Sequence, residues 1–223
     1  MSVMPDASTY TGAEPATSWS GSPPEAGTVF VVRPPRLPPG AVPLYDDDTQ
    51  TVIGFRTESS GVYRIYDLEG NMVGMDEKGL ETPLIDPIDL IFIFGGAFRI
   101  LARAGARTAI QVGARASVVG VRALITTVGE SIALALRATL RRLLAGELKF
   151  TATTAARMAT TGRYVPVHIL RLAVRYGARA ADSQGAVGAF EYTIPMVRNG
   201  VRYTLKVVLR EVDSTVLHFH YFR

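Results

Sequence analysis

The stretch FEYTIPMVRNGVRYTLKVVLR, residues 190–210, decides the fold of the second half of this chain. Its Asn199-Gly200 dipeptide is the strongest short-range signal for a hairpin with a two-residue type I′ turn. A turn of this length pairs Arg198 with Val201, and the register of both strands follows by counting outward. Three pairs of apolar or aromatic residues then share one face, namely Met196–Tyr203, Ile194–Leu205 and Tyr192–Val207. Because a slip of one residue would exchange the two faces, the pattern specifies the register strongly.

The stretch STVLHFHYF, residues 214–222, is predicted to form the third strand of the same sheet. A two-residue loop before it would mix the two faces, whereas a three-residue loop over 212–214 keeps them apart. The second choice predicts three further apolar pairs, Leu209–Leu217, Val207–Phe219 and Leu205–Tyr221. His218 and His220 then fall on the opposite face, which we call the polar face. The other residues that the pattern predicts there are Glu191, Thr193, Arg202, Thr204, Lys206 and Arg210.

Residues of these types, at this spacing, suit the cleavage of RNA without a metal ion. Side chains at positions i and i+2 of a strand lie about 6–7 Å apart, which suits two groups that flank one phosphate. Histidine exchanges protons near neutral pH, and a neighbouring cation stabilises the charge that develops on a phosphate. The candidates for catalysis are therefore His218, His220, Glu191, Lys206, Thr193 and His168. The candidates for substrate binding are Arg202, Thr204, Arg210, Arg157 and Arg163.

Simpler interpretations of the same residues stay open. A sheet face that meets water is polar for that reason alone, and a histidine inside VPVHILRL, such as His168, is typical of a helix core. Two histidines at i and i+2 could also bind a metal, but no third ligand is evident, so we predict no metal and no cofactor. The chain lacks P-loop, GxGxxG, HExxH and GxSxG motifs, which disfavours nucleotide hydrolysis, zinc-protease and serine-esterase chemistry.

Charge is distributed unevenly along the 223 residues. Residues 1–98 carry a net charge of −9 and residues 99–223 a net charge of +13. The basic half is expected to attract a polyanion or to be shielded by the acidic half, and solvated helix faces are the alternative. The chain has no cysteine, which excludes disulfides and thiolate chemistry. It shows no signal-peptide pattern, and its longest uncharged apolar run, at 90–98, is too short for a stable transmembrane segment.

Composition and periodicity predict an α+β fold in four parts. Nine of the thirteen prolines lie in the first 43 residues, which indicates a disordered leader and a polyproline linker, with one short strand at 28–32. Short β-branched and aromatic runs then predict a small meander, followed by an Ala- and Leu-rich helical region. The expected parts are the leader and linker at 1–43, the β-meander at 44–83, the helical region at 84–147 and a carboxyl-terminal α+β domain at 148–223. Within the last part, short helices are expected at 153–161 and 165–179.

The helical region is expected to contain two or three helices, because glycines interrupt it at several positions. Arg99, Arg103 and Arg107 repeat every four residues and would therefore share one helix face. The pattern favours a helical hairpin packed on its neighbours over an amphipathic segment that lies on a membrane.

Residues 151–223 resemble the carboxyl-terminal toxin domains of bacterial polymorphic toxins, in the broad barnase–EndoU–colicin–RelE-like ribonuclease group. The resemblance is carried by a short helix with AARM, then RYVPVHILRLAVRYGAR, EYTI, the NG hairpin, YTLKVVL and TVLHFHY. Members of the group place helices before a small antiparallel sheet that carries the active site. Many also have a histidine in the first short helix, where this chain has TATTAARM, so the general base is not fixed by the resemblance. Residues 42–82 are similar to strand segments found upstream of such toxin tips.

The resemblance implies an antibacterial toxin that acts as a metal-independent endoribonuclease. The implied substrate is RNA, with transfer RNA as one candidate, and cleavage would leave a cyclic phosphate. Delivery by a bacterial secretion system into the cytoplasm of a target cell and a cognate immunity protein are also implied. Three alternatives stay open: an ADP-ribosyltransferase-type toxin in which Glu191 would help to hold a nicotinamide cofactor, a non-catalytic module that binds RNA or an acidic protein, and membrane disruption by residues 84–145.

Overall fold

The computed structural model describes residues 9–19, 27–77, 119–145 and 148–223, and the described residues form an α+β protein with two β-sheets. They fall into two compact units. One unit combines the chain up to Pro35 with Arg142–Arg223, and the other consists of Arg36–Arg141. The carboxyl-terminal sheet therefore belongs to a unit that also contains the amino-terminal segment. The predicted α+β class is confirmed.

The first unit is built around a seven-stranded sheet in the order β1-β7-β11-β10-β9-β2, with β8 paired to the same edge of β9 as β2. All pairs are antiparallel except β7 with β11, which is parallel. The strands are β1 (Thr17–Ser18), β2 (Phe30–Val32), β7 (Lys149–Phe150), β8 (Ala178–Ala181), β9 (Ala189–Arg198), β10 (Val201–Arg210) and β11 (Thr215–Phe222).

The central hairpin has the predicted register along its whole length. Val201 lies opposite Arg198, and the three apolar pairs follow as expected, Met196–Tyr203, Ile194–Leu205 and Tyr192–Val207. Asn199 and Gly200 have φ angles of 49° and 80°, as both central residues of a type I′ turn require. Ile194, Met196, Leu205 and Val207 are all buried, so this face of the hairpin is the core side.

The second hairpin follows the expected register over only part of its length. The pairs Leu205–Tyr221, Lys206–His220, Val207–Phe219 and Val208–His218 are present as predicted. Beyond them the pairing shifts, so that Leu209 lies opposite Val216 and Leu217 is the extra residue of a β-bulge. Leu217 instead packs with Tyr10 and Val208 on the polar face. The prediction that it pairs with Leu209 is wrong, because the turn contains four residues rather than three.

Two helices accompany this sheet, close to the predicted positions. Helix α2 (Ala152–Met158) is capped by Thr151, whose side chain accepts a hydrogen bond from the amide of Thr154. Helix α3 (Val167–Tyr176) follows Pro166 and packs against β2, β9 and β10. Its buried residues are His168, Ile169, Leu170, Leu172 and Ala173. Helix α3 therefore covers the core side of the sheet.

The described part of the leader is ordered and contributes two strands to this sheet. β1 pairs with β7, and β2 pairs with the end of β9 that precedes the hairpin turn. The side chain of Asn199 accepts a hydrogen bond from the amide of Val29, and the amide of Asn199 donates to the carbonyl of Val29. Phe30 is 1 % exposed. The short strand expected at 28–32 is present as β2. The expectation of a disordered leader is wrong for residues 9–19, since β1 pairs with β7 and Tyr10 is buried against a sheet formed by distant residues.

The described residues of the second unit form an antiparallel four-stranded sheet and one helix. The strands are β3 (Val42–Asp46), β4 (Thr51–Ser59), β5 (Val62–Asp67) and β6 (Met72–Glu77), paired in that order. They include the predicted three-stranded meander, and β3 extends it into a stretch that was assigned to the linker. Helix α1 (Val119–Ala145) lies against the sheet, where Arg137 forms an ion pair of 2.6 Å with Asp46. The arginine face at residues 99–107 and the remaining predicted helices lie outside the described residues.

We expect Phe30→Ala to destabilise the first unit, although Phe30 lies far in sequence from the strands β7 to β11. Truncation of a fully buried phenylalanine costs about 3–5 kcal/mol of unfolding free energy. Amide hydrogen exchange of the full-length protein is the suitable measurement, and protection should fall in β9 and β10. The matched change Phe55→Ala, which removes a fully buried phenylalanine from β4, should lower protection in the four-stranded sheet. Unchanged exchange in β9 of Phe30→Ala would contradict the assignment of the leader to this unit.

Candidate functional site

The polar face carries two rows of side chains that cross three strands. One row is Thr193–Lys206–His220, and the other is Glu191–Val208–His218. These are the rows that the sequence predicts. Val208 and His218 are buried, whereas Thr193, Lys206 and His220 are partly exposed. We call the buried end of the polar face, at Val208 and His218, the dry end, and the partly exposed end, at Thr193, Lys206 and His220, the wet end. The boundary between the two ends passes between the two histidines.

The two histidines contact each other directly, with Nε2 of His218 at 3.0 Å from Nδ1 of His220. On its other side, Nε2 of His218 lies 3.5 Å from a terminal guanidinium nitrogen of Arg157. A guanidinium can only donate hydrogen bonds. With Arg157 as donor, Nε2 of His218 is the acceptor in both contacts, and Nδ1 of His220 carries the proton. The arrangement is thus a chain of three side chains that fixes the orientation of the His220 ring.

Arg157 reaches this position because α2 is held along the outer edge of β11. The hydroxyl of Thr154 donates to the carbonyl of Val216 at 3.0 Å, and Arg157 donates to the carbonyl of Phe219 at 3.0 Å. Backbone carbonyls at a sheet edge are strong acceptors that need partners when buried. Arg157 is itself buried, with 6 % exposure. Arg157 therefore satisfies a backbone carbonyl at the edge of β11 and also contacts His218.

Lys206 and Glu191 form an ion pair of 2.6 Å in the middle of the polar face. Glu191 also accepts hydrogen bonds from the amide and the hydroxyl of Ser183. Burial acts to raise the pKa of Glu191, but the hydrogen bonds from Lys206 and Ser183 outweigh it and hold the pKa below its usual range. Glu191 is therefore an ionised carboxylate that positions Lys206, and it is a weaker candidate for the general base than either histidine.

The dry end of the polar face is covered by residues 9–19, which we call the amino-terminal strap. Tyr10 packs its ring at 5.9 Å from that of His218 and donates a hydrogen bond to Asp182. Burial, together with the hydrogen bond to Asp182, raises the pKa of Tyr10 well above its usual value. Tyr10 therefore stays neutral and closes one side of the His218 ring.

Arg210 anchors the strap instead of facing a substrate. It forms an ion pair of 2.7 Å with Asp213 and donates to the backbone carbonyls of Gly12 and Glu14. It also lies 3.3 Å from the hydroxyl of Thr215. These contacts occupy its guanidinium, which was predicted to bind phosphate. We assign Arg210 a role in holding the amino-terminal strap on the sheet.

The other predicted site residues divide into two groups. Arg202 and Thr204 lie on the polar face beyond Lys206, along β10. His168 and Arg163 lie away from the polar face. His168 is in α3 on the core side of the sheet. Arg163 follows Gly162, and the carbonyl of Gly162 accepts a hydrogen bond from Tyr221, which is on the core side. Nε2 of His168 has no hydrogen-bond partner among the described residues. His168 is thus a core histidine, as the simpler interpretation of its sequence context expects.

Sequence reasoning missed two aromatic residues that extend the histidine pair. Tyr10, His218, His220 and Phe222 form a row of rings along the polar face, with centroid distances of 5.9, 5.0 and 5.3 Å. Phe222 could have been found, because it continues the period of two that joins the histidines. Tyr10 could not, since it lies more than 200 residues away in sequence.

Comparisons with protein-family models, with curated proteins and with solved structures found no match for this chain. Within the described ranges, no helix is long and apolar enough to cross a membrane. The same residues contain no group of three or more His, Asp or Glu side chains placed to hold a metal ion. The function of the polar face therefore has to be inferred from its own chemistry.

We expect His168 to make the stability of the protein depend on pH. Burial lowers the pKa of His168 to about 4 from 6.5, so the unfolded chain binds this proton more readily than the folded protein does. The free energy of unfolding should fall as the pH drops from about 6.5 towards 4, by at most about 3 kcal/mol. His168→Leu removes the titrating group. Urea unfolding of both proteins at pH 7.5, 6 and 5 should show a smaller decline for the variant, and equal declines would contradict the assignment.

Proposed function

We propose that the protein is a metal-independent endoribonuclease whose active site is the wet end of the polar face. The observation that carries the proposal is the contact chain Arg157–His218–His220, which ends beside Lys206 in the adjacent strand. A histidine held by a second histidine has a fixed ring orientation, which is what proton transfer from a bound substrate requires. A lysine beside it supplies the positive charge that a phosphate needs.

In the proposed reaction, His220 and Lys206 are the catalytic residues. Nε2 of His220 accepts the proton of the ribose 2′-hydroxyl, and the 2′-oxygen forms a bond to phosphorus. The bond from phosphorus to the 5′-oxygen breaks, and that oxygen takes a proton from solvent. One fragment then ends in a 2′,3′-cyclic phosphate and the other in a 5′-hydroxyl. Lys206 stabilises the negative charge on the non-bridging oxygens as the pentacoordinate state forms.

Three further residues act through these two. His218 and Arg157 position the ring of His220, and Glu191 positions the ammonium group of Lys206. Since Glu191 is held by Ser183 and is largely buried, it restricts where Lys206 can move. In this proposal Arg202 and Thr204, farther along β10 on the same face, bind the phosphates on one side of the cleavage point.

The charge of the chain supports a polyanionic substrate. Residues 148–223, which contain α2 and the strands β9, β10 and β11, hold 11 Lys and Arg against 4 Asp and Glu, a net charge of +7. Such an excess raises the local concentration of RNA and contributes a salt-dependent share of its affinity. Together with the resemblance of residues 151–223 to toxin domains, this leads us to propose an antibacterial toxin delivered by a secretion system and neutralised by an immunity protein.

We expect His220→Ala to lower the rate of RNA cleavage about 10²–10⁴-fold, the usual contribution of a general acid or base. The assay uses the full-length protein with an end-labelled RNA oligonucleotide in the presence of a chelator, and denaturing gels resolve the products. A single 2′-deoxy substitution at the cleavage position should abolish cleavage, because it removes the attacking hydroxyl. The product ends should be a 2′,3′-cyclic phosphate and a 5′-hydroxyl.

The matched control is His168→Leu, which removes a histidine outside the polar face and should leave cleavage unchanged at pH 7.5. Cleavage that survives in His220→Ala, or that persists with the 2′-deoxy substrate, would overturn the mechanism. Tight RNA binding without cleavage by the wild-type protein would instead favour a non-catalytic RNA-binding module. Induced expression of the full chain in bacteria, with RNA examined after growth arrest, tests the toxin assignment separately.

A further inference from the structure

Phe222 is a large apolar side chain that stands exposed at the wet end of the polar face. It pairs with Thr204 and is 43 % exposed. Its ring lies nearly parallel to that of His220, at 27° and with centroids 5.3 Å apart. The Phe222 ring therefore stacks on the imidazole of His220 and ends the row of rings with a partly exposed side chain.

A ligand that covers the exposed part of the Phe222 ring would remove apolar surface from water. Burial of apolar surface is favourable, and the other large aromatic side chains on β9, β10 and β11 are more covered than Phe222. The only comparably flat, apolar group that RNA offers is a nucleobase. Aromatic side chains of single-strand binding proteins stack on bases in this way and tolerate any base, because each base has a π-face.

The cations of β10 flank Phe222 at a spacing that fits a nucleotide chain. Thr204 lies opposite Phe222, and along the same face of β10 Arg202 precedes Thr204 by two residues and Lys206 follows it by two. Positions four residues apart in a strand are separated by about 13 Å. One line along the sheet would thus hold, in this spatial order, a phosphate at Lys206 and His220, a base on Phe222 and a second phosphate at Arg202.

We infer that Phe222 is a base-stacking subsite that binds an unpaired nucleobase next to the phosphate held by Lys206. This inference deepens the proposed function, on which its description as a substrate subsite rests, and it names the substrate class as single-stranded RNA. A base in a duplex has both of its faces covered by neighbouring base pairs, so it cannot stack on Phe222. The subsite therefore selects loops and unpaired stretches over helical RNA.

The test measures binding of the full-length protein to a fluorescent single-stranded oligonucleotide with 2′-O-methyl riboses, which lacks the attacking hydroxyl and cannot be cleaved by the proposed route. Phe222→Leu is the decisive variant, because it keeps an apolar side chain of similar size and removes the ring. Its dissociation constant should rise about 5- to 150-fold, which is the equivalent of 1–3 kcal/mol per stacked base. Phe222→Trp should bind at least as tightly as the wild type. Thermal unfolding of each variant confirms that the sheet is intact.

An abasic oligonucleotide of the same length is the matched ligand control, and its affinity should be the same for wild type and Phe222→Leu. Equal affinity of these two proteins for the base-containing oligonucleotide would overturn the inference. The cleavage assay separates this outcome from failure of the proposed function. Cleavage with no dependence of binding on Phe222 overturns the subsite alone, whereas Phe222-dependent binding without cleavage overturns the ribonuclease and leaves a base-stacking site. A loss of binding to the abasic ligand as well would also count against stacking.

Discussion

The type I′ turn between β9 and β10 is the constraint on which the carboxyl-terminal unit depends. Its left-handed backbone at Asn199 and Gly200 matches the twist of the two strands. The turn fixes the register of β10, and β10 passes that register to β11, which brings Lys206 beside His220. The side chain of Asn199 also holds the amide of Val29 at 2.8 Å. Asn199 and Gly200 thus determine which residues lie on each face of the hairpin, and Asn199 also holds the chain next to β2 at the edge of the sheet.

The parts of the fold that sequence reasoning found are those encoded over short distances. The central hairpin needs only a turn signal and alternation, and the short helices α2 and α3 need only a periodic apolar face. The rows that contain Lys206 and His220 follow from the same local register. The bulge at Leu217 was missed because alternation alone cannot show that a turn has one residue more than expected. Nor can it show that the side chain of Leu217 packs among apolar neighbours on the polar face.

The rest of the candidate site depends on contacts between distant parts of the chain. Arg157 is 61 residues from His218, and nothing in its surroundings distinguishes it from a solvated helix arginine. The strap carries many features of a disordered segment, yet Tyr10 finds a place among apolar residues of the sheet. Composition indicates only the average tendency of a segment to be ordered or disordered. One or two buried aromatic residues are enough to order a segment whose composition predicts disorder. The same limit applies to Arg210, whose partners in the strap cannot be read from its own strand.

The two strands that the leader contributes lie at opposite edges of the seven-stranded sheet, with β1 next to β7 and β2 next to β9. These pairings join residues more than 130 positions apart. Loop-closure entropy opposes such distant contacts, so the sheet has a high contact order and is expected to fold slowly. During synthesis β1 and β2 emerge before their partners β7 and β9. The polar face also needs β11, so it can be assembled only after β11, which follows the other described strands in sequence, has been made.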